Sequence, residues 1–179
     1  MSRVILSPLS KFNVLIVEDD QLMQKLVHDV LDRLGFKHIF RASNGHQAIQ
    51  QIEAAPIDFI ICDWRMPDMD GISLVKQLRD MNAPNCMIPV IMLTGNAEPH
   101  HIEIARDVGV TEYLVKPFTV KELHRRINEI IEHPREFVLT ENYKGPSRRR
   151  RVDPVKASKQ ERRNGNQPMP VKWTPDGSR

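Results

Sequence analysis

Four apolar runs in this 179-residue chain end in residues able to do chemistry. Residues 12–17 lead into Glu18, Asp19 and Asp20, the run at 58–62 ends in Asp63, that at 88–93 in Thr94, and that at 112–115 in Lys116 followed by Pro117. If the runs are strands of one parallel sheet, these residues converge outside its carboxyl edge, where open α/β sheets bind ligands. Carboxylates held together repel one another and resist ionisation unless a hard cation lies among them. Mg²⁺ suits such a cluster, because it prefers oxygen ligands and bridges one or two carboxylates to phosphoryl oxygens. The chemistry so implied is phosphoryl transfer. An aspartate attacks phosphorus to give an aspartyl phosphate, and the transferred group then needs positioning and charge neutralisation. Asp63 is the candidate nucleophile, Lys116 the cation for the phosphoryl oxygens and Thr94 a hydroxyl donor to them.

Bringing those residues together takes a particular set of elements. Apolar runs at 12–17, 38–42, 58–63, 88–94 and 112–116 alternate with helical patterns near 21–34, 45–54, 72–81, 99–108 and 120–132. Short apolar strands separated by helices predict a parallel sheet buried on both faces, since right-handed crossovers place helices on each side. The fold class is α/β, a doubly wound five-stranded parallel sheet. Thr119 to Glu122 reads as a capping box for the last helix, and Asn44 with Gln47 as a cap for the second.

Four segments, VLIVEDD, DFIICDWRMPDMDG, PVIMLTG and EYLVKPF, resemble the successive signatures of bacterial response-regulator receiver domains, a resemblance that covers residues 12–133. It implies the flavodoxin-like receiver fold, with strand order 2-1-3-4-5. It also implies that Glu18 and Asp19 form the acidic pair and that Asp63 is both phosphoacceptor and metal ligand. Arg65 becomes a metal ligand through its backbone carbonyl, with Mg²⁺ as the cofactor. Asp20 is then only an acidic neighbour. Thr94 and Tyr113 match the family's switch residues, and Lys116-Pro117 falls where the family has a cis peptide. The implied partners are a histidine kinase or histidine phosphotransfer protein as donor, and a downstream protein on the face of the fourth helix, fifth strand and fifth helix, where a homodimer could also form.

Blander readings compete with several of these. A lone Asp after a strand is usually a helix cap or a solvated loop residue, and it is the company of the acidic pair, Thr94 and Lys116 that sets Asp63 apart. Tyr113 could simply pack. Pro67, Gly71 and Gly95 read as turn formers. His100 and His101, adjacent on a helix, do not face the same way, so a solvated face is expected rather than a metal site.

Charge divides the chain in two. Residues 1–133 carry 14 basic and 18 acidic side chains, and residues 134–179 carry 12 and 5, a balance of −4 against +7. Past His133 the periodicity stops and Pro, Gly, Ser, Asn, Lys and Arg dominate, a composition that cannot offset ordering entropy. The expected organisation is an N-terminal extension at 1–11, a receiver domain at 12–133 and a basic, disordered tail at 134–179, with Arg148 to Arg151 as its main feature. Charge runs are most often solvated, though this one could dock an acidic protein or contact nucleic acid through phosphates. Cys62 and Cys86 suit neither a disulfide framework nor a zinc site, and no run approaches a membrane span or a leader peptide, so a cytoplasmic protein without membrane contact is expected.

The leading expectation is a phosphorylation-controlled interaction switch with no separate enzymatic output. One alternative is an aspartyl-nucleophile hydrolase of the haloacid-dehalogenase type, but that class carries Asp-x-Asp where this chain has Asp63-Trp64-Arg65. Others are a receiver whose basic tail binds nucleic acid and a phosphorylation-independent adaptor. No helix-turn-helix pattern follows residue 133, so direct nucleic-acid binding would rest on a flexible basic arm.

Overall fold

The structure, a computed structural model, describes residues 8–82, 84–140 and 143–147 and the backbone of 169–172. Strands β1 (Asn13–Val17), β2 (His38–Ala42), β3 (Phe59–Asp63), β4 (Val90–Thr94) and β5 (Glu112–Val115) alternate with helices α1 (Gln21–Leu34), α2 (Gly45–Ala54), α3 (Gly71–Asp80), α4 (Pro99–Asp107) and α5 (Val120–Glu132). The strands form one sheet in the order β2-β1-β3-β4-β5, every neighbouring pair parallel. The doubly wound sheet expected from the alternation is therefore present.

Side-chain alternation along each strand explains why helices cover both faces. Val14 and Ile16 of β1, Phe59 and Ile61 of β3, and Ile91 and Leu93 of β4 face one core with Val27 and Leu31 of α1 and Leu123, Ile127 and Ile130 of α5. The intervening Leu15, Val17, Ile60, Cys62, Val90 and Met92 face a second core with Ala48 and Ile52 of α2, Leu74, Val75 and Leu78 of α3 and Ala105 of α4. Cys62 and Cys86 are buried free thiols. Among the described residues no helix is long and apolar enough to cross a membrane.

Four of the five helices α1–α5 start with a side-chain cap, α4 being the exception. Thr119 and Glu122 exchange both bonds of the capping box. Asn44 accepts from the Gln47 amide, while the Gln47 side chain accepts from Ser43 rather than from Asn44. Two caps not anticipated from the sequence are carboxylates: Asp20 accepts from the amides of Leu22 and Met23, and Asp70 from that of Ser73.

The expectation of a disordered tail from 134 onward needs correction for the residues described there. Strands β6 (Glu136–Leu139), β7 (Lys144–Pro146) and β8 (Met169–Lys172) form a small antiparallel sheet in the order β7-β6-β8. Phe137 is 1% exposed and belongs to the core built by α1 and α5. The run EFVL supplies apolar groups that the tail's average composition conceals. Arg148 to Arg151 lie outside the described residues, as does most of the 1–11 extension.

Candidate functional site

The parallel strands all end at the same edge, and there Glu18, Asp19, Asp63 and Lys116 meet. Parallel register places Val17 beside Cys62 and Asp63 beside Leu93, so the residues following β1, ending β3 and ending β4 stand side by side. Gln24 of α1 pins this edge from outside, its side-chain amide donating to the carbonyls of both Glu18 and Ala42.

Carboxylate oxygens of Glu18, Asp19 and Asp63 lie within 4.8 Å of one another, with Glu18 and Asp63 buried and Asp19 exposed. Lys116 enters the cluster from the end of β5. Its Nζ stands 2.7 Å from Asp63 Oδ1 and 2.8 Å from Glu18 Oε2. The second oxygen of Asp63, Oδ2, accepts from the amide of Arg65 at 3.1 Å. Asp63 is therefore oriented through both oxygens. The Lys116-Pro117 peptide is cis.

The electrostatics follow from burial and partners. Burial pushes the Glu18 carboxyl above its ordinary range and the neighbouring Asp63 charge adds to this, against the opposing bond and charge of Lys116. Burial alone would lower Lys116, but its bonds to Asp63 and Glu18 and their charges outweigh it and hold the ammonium above its usual value. Formally, three carboxylates and one ammonium leave the cleft two negative charges in excess, the charge a divalent cation neutralises. An all-oxygen donor set of this kind suits Mg²⁺ or Ca²⁺ rather than a softer metal.

Not every expected residue joins the cluster. Thr94 is buried at the end of β4, but its hydroxyl accepts from the Asn96 amide at 3.1 Å and donates to the Asn96 carbonyl at 3.2 Å. Tyr113 lies on β5 opposite Met92, half-buried, with the Arg126 guanidinium 5.8 Å from its ring centroid. Arg126 in turn pairs with buried Glu112 at 2.9 Å. The Arg65 side chain is exposed, so its place at the site is a matter of backbone. Asp20 stays out of the acidic group because it caps α1.

Three features escaped the sequence reading. Gly71 is not required by a turn. A Cβ there would fall 2.3 Å from the Asp63 carbonyl oxygen, so glycine lets α3 start directly against the end of β3. Gly95 likewise needs no special backbone angle, and a Cβ on it would meet open space beside Thr94. His100 is exposed, but His101 is only partly so, its ring lying 5.3 Å from that of Trp64, the residue after Asp63.

Comparison with known proteins agrees with this geometry. The model of the response regulator receiver domain family matches residues 14–128. The chemotaxis protein CheY-3 of Vibrio cholerae is 37% identical over 120 residues, 66% of this chain and 91% of that relative. The solved structure of the Vibrio cholerae chemotaxis protein CheY4 superposes with a TM-score of 0.63 at 31% identity, covering 66% of this chain and 98% of that one. The receiver domain of the sensor histidine kinase PA1611 from Pseudomonas aeruginosa, solved with a magnesium ion coordinated in its active site cleft, superposes with a TM-score of 0.60 at 31% identity over 66% of this chain and 95% of that one. With both the sequence signature and the strand order in place over two-thirds of its length, the chain belongs to the response regulator receiver domain family.

Proposed function

We propose that this chain is a phosphorylation switch of two-component signalling that accepts a phosphoryl group on Asp63. The observation that carries the reading is the Lys116 ammonium between Asp63 and Glu18 in an acidic cleft that also holds Asp19. An Asp63 oxygen forms the new P–O bond. The bond that breaks is the P–N bond of a phosphohistidine, whose imidazole leaves, or the P–O bond of acetyl phosphate, from which acetate leaves. Lys116 neutralises a phosphoryl oxygen, and the Arg65 amide keeps the attacking carboxylate in register. A Mg²⁺ ion, when bound, supplies charge neutralisation and alignment of the phosphoryl oxygens, held by Glu18, Asp19, Asp63 and the backbone carbonyl of Arg65.

The donor is a histidine kinase or a histidine phosphotransfer protein. Leu22 and Leu26 of α1 are 80% and 53% exposed, which leaves an apolar patch one turn from the cleft for such a protein to cover. In the phosphorylated state Thr94 exchanges its bonds to Asn96 for one to the phosphoryl group, and Tyr113 turns into the space it leaves. The altered face of α4, β5 and α5 is read by a downstream protein or by a second copy of the chain. The protein works as a phosphoacceptor in the cytoplasm and has no enzymatic output of its own. A hydrolase of the Asp-x-Asp type would need a carboxylate where the exposed Arg65 stands. Nucleic-acid contact by Arg148 to Arg151 falls outside the described residues, and no part of the proposal rests on it.

The test is intact-mass measurement after incubation with acetyl phosphate and Mg²⁺, wild type beside Asp63→Ala. One phosphoryl adduct, labile to hydroxylamine and present only in the wild type, is expected. A wild-type chain that stays unmodified with this donor and with candidate kinases sinks the reading.

A further inference from the structure

The foot of the domain, opposite the acidic cleft, holds a buried cation that the chemistry above does not use. Arg79, in the last turn of α3, is 4% exposed. Its Nε and Nη2 donate to the Gly109 carbonyl at 3.1 and 2.8 Å, and its Nη1 donates to the carbonyls of Cys86 at 2.7 Å and Ile88 at 2.9 Å. Among the described residues no carboxylate pairs with it. Burial lowers its pKa to about 10, so the guanidinium stays charged at neutral pH. The bonds tie the lead-in to β4, through Ile88, to the turn between α4 and β5, through Gly109.

The strands beyond α5 close over this arrangement. The buried ring of Phe137 lies 5.1 Å from the Arg79 guanidinium, a cation–π contact in a water-excluded place. Gly109, at φ +91°, brings its backbone against that of Gly145: a Cβ on Gly109 would come within 2.9 Å of the Lys144 carbonyl oxygen, and one on Gly145 within 2.9 Å of the Gly109 Cα. Arg135 donates to the carbonyl of Thr111, at the start of β5, and to that of Ser147, just past β7. The α4–β5 turn is itself continuous with the helix, since Gly109 and Val110 donate to the carbonyls of Arg106 and Ala105.

Helix α4 is thus held at both ends. At its top the Thr94 hydroxyl is bonded to the Asn96 backbone, two residues before Glu98 caps the helix. At its foot the turn is gripped by β6 and β7. An element docked on one of two conformations must stabilise that one, and the coupling acts equally in both directions.

We propose that the strand pair β6–β7, seated on Arg79 and the Gly109 turn, is a clamp that favours the state in which Thr94 is turned away from Asp63, so that clamp docking and phosphorylation of Asp63 oppose each other. The proposal rests on the reading of Asp63 as a phosphoacceptor. Phosphorylation then loosens β6 and β7, and loosening them eases phosphorylation by the same factor.

Hydrogen exchange on the full-length chain, with phosphorylation verified by mass in the same sample, tests this. The phosphorylated protein is expected to exchange the amides of Val138, Leu139, Lys144, Gly145 and Ser147 about fivefold faster or more, the lower end of usual coupling between sites. Phe137→Ala, and separately Gly145→Ala, whose added Cβ would meet the Tyr143 ring and hydroxyl at 2.8 and 2.7 Å and the Gly109 Cα at 2.9 Å without removing a core side chain, are expected to raise the rate of phosphorylation by acetyl phosphate. Both are also expected to speed exchange in residues 99–110 of the unmodified protein. If Phe137→Ala does not fold, Gly145→Ala carries the comparison. An adduct on Asp63 with no change in tail exchange, or a folded Gly145→Ala that is phosphorylated at the wild-type rate, overturns the clamp while leaving the phosphoacceptor intact. A wild-type chain with no adduct overturns the phosphoacceptor reading and with it the coupling.

Discussion

Gly71 and Asp63 are in backbone contact. The Cβ that any other residue would place at 71 lies 2.3 Å from the Asp63 carbonyl oxygen and 2.8 Å from the Met92 sulfur, while the Gly71 amide donates to the Trp64 carbonyl at 2.9 Å. The first residue of α3 is therefore part of the seat of Asp63.

Gly71→Ala is expected to act on stability and chemistry together. Backbone cannot yield as a flexible side chain does, so either α3 or the end of β3 must move, at a cost of about 1–3 kcal/mol, as in other overpacked cores. The movement takes Asp63 away from Lys116 and the Arg65 amide. A lower urea midpoint with phosphorylation slowed at least tenfold is expected. Wild-type kinetics in a destabilised variant would show that the contact is only structural.

Asp20 separates helix capping from metal binding. Its side chain takes the amides of Leu22 and Met23 at 2.7 and 3.1 Å, the usual work of a cap. Asp20→Ala should lose about 1 kcal/mol of stability. Asp20→Asn, which keeps an acceptor oxygen, should lose much less, and both should still be phosphorylated in Mg²⁺. If Asp20→Asn loses phosphorylation while keeping its melting temperature, Asp20 belongs to the metal site after all.

The legible part of the fold was the part written in local periodicity. Short strands that are apolar up to their last residue, such as Phe59–Asp63, can be found without knowing their partners, and the residue that ends each one follows directly. The cluster of Glu18, Asp63 and Lys116 was legible for that reason, as was the capping box at Thr119. The role of Gly71 was hidden because a close approach between α3 and β3 leaves no mark on composition. The tail misled more seriously. Phe137 sits in a four-residue run whose partners include Arg79 and Val171, far away in sequence, and average composition cannot reveal such a pairing.

Lys116 holds apart two carboxylates that would otherwise face each other in a buried place. Lys116→Met leaves Glu18 and Asp63 without their counter-cation, and breaking such a pair costs about 3 kcal/mol. A divalent cation then has more charge to neutralise. Mg²⁺ should therefore raise the melting temperature of Lys116→Met by more than that of the wild type, although the variant accepts phosphoryl groups at least tenfold more slowly. Equal Mg²⁺ stabilisation of the two proteins would mean that the cation does not share the cleft with Lys116.

The same cleft sets a pH dependence whose sign follows from Glu18. Burial first, and the Asp63 charge after it, raise this carboxyl above its ordinary 4.5 against the pull of Lys116. The folded state therefore binds the proton more tightly than the unfolded state, and stability falls as pH rises from 4.5 through the raised folded value. Lys116 contributes in the opposite range: raised above 10.5, it adds stability that is fully present below that pH and is lost as pH climbs through its folded value. At pH 7, then, ionised Glu18 is the group that costs stability when no divalent cation is present. Glu18→Gln in a chelator such as EDTA should unfold at a higher urea concentration than wild type at neutral pH, with the difference closing as pH falls through the raised folded value and below 4.5, where the carboxyl is protonated in either state. Added Mg²⁺ should narrow or reverse the difference, because only the carboxylate gains from the ion. A difference that stays constant from pH 4.5 to 8 would assign the effect to packing of the glutamine and remove the electrostatic account of the site.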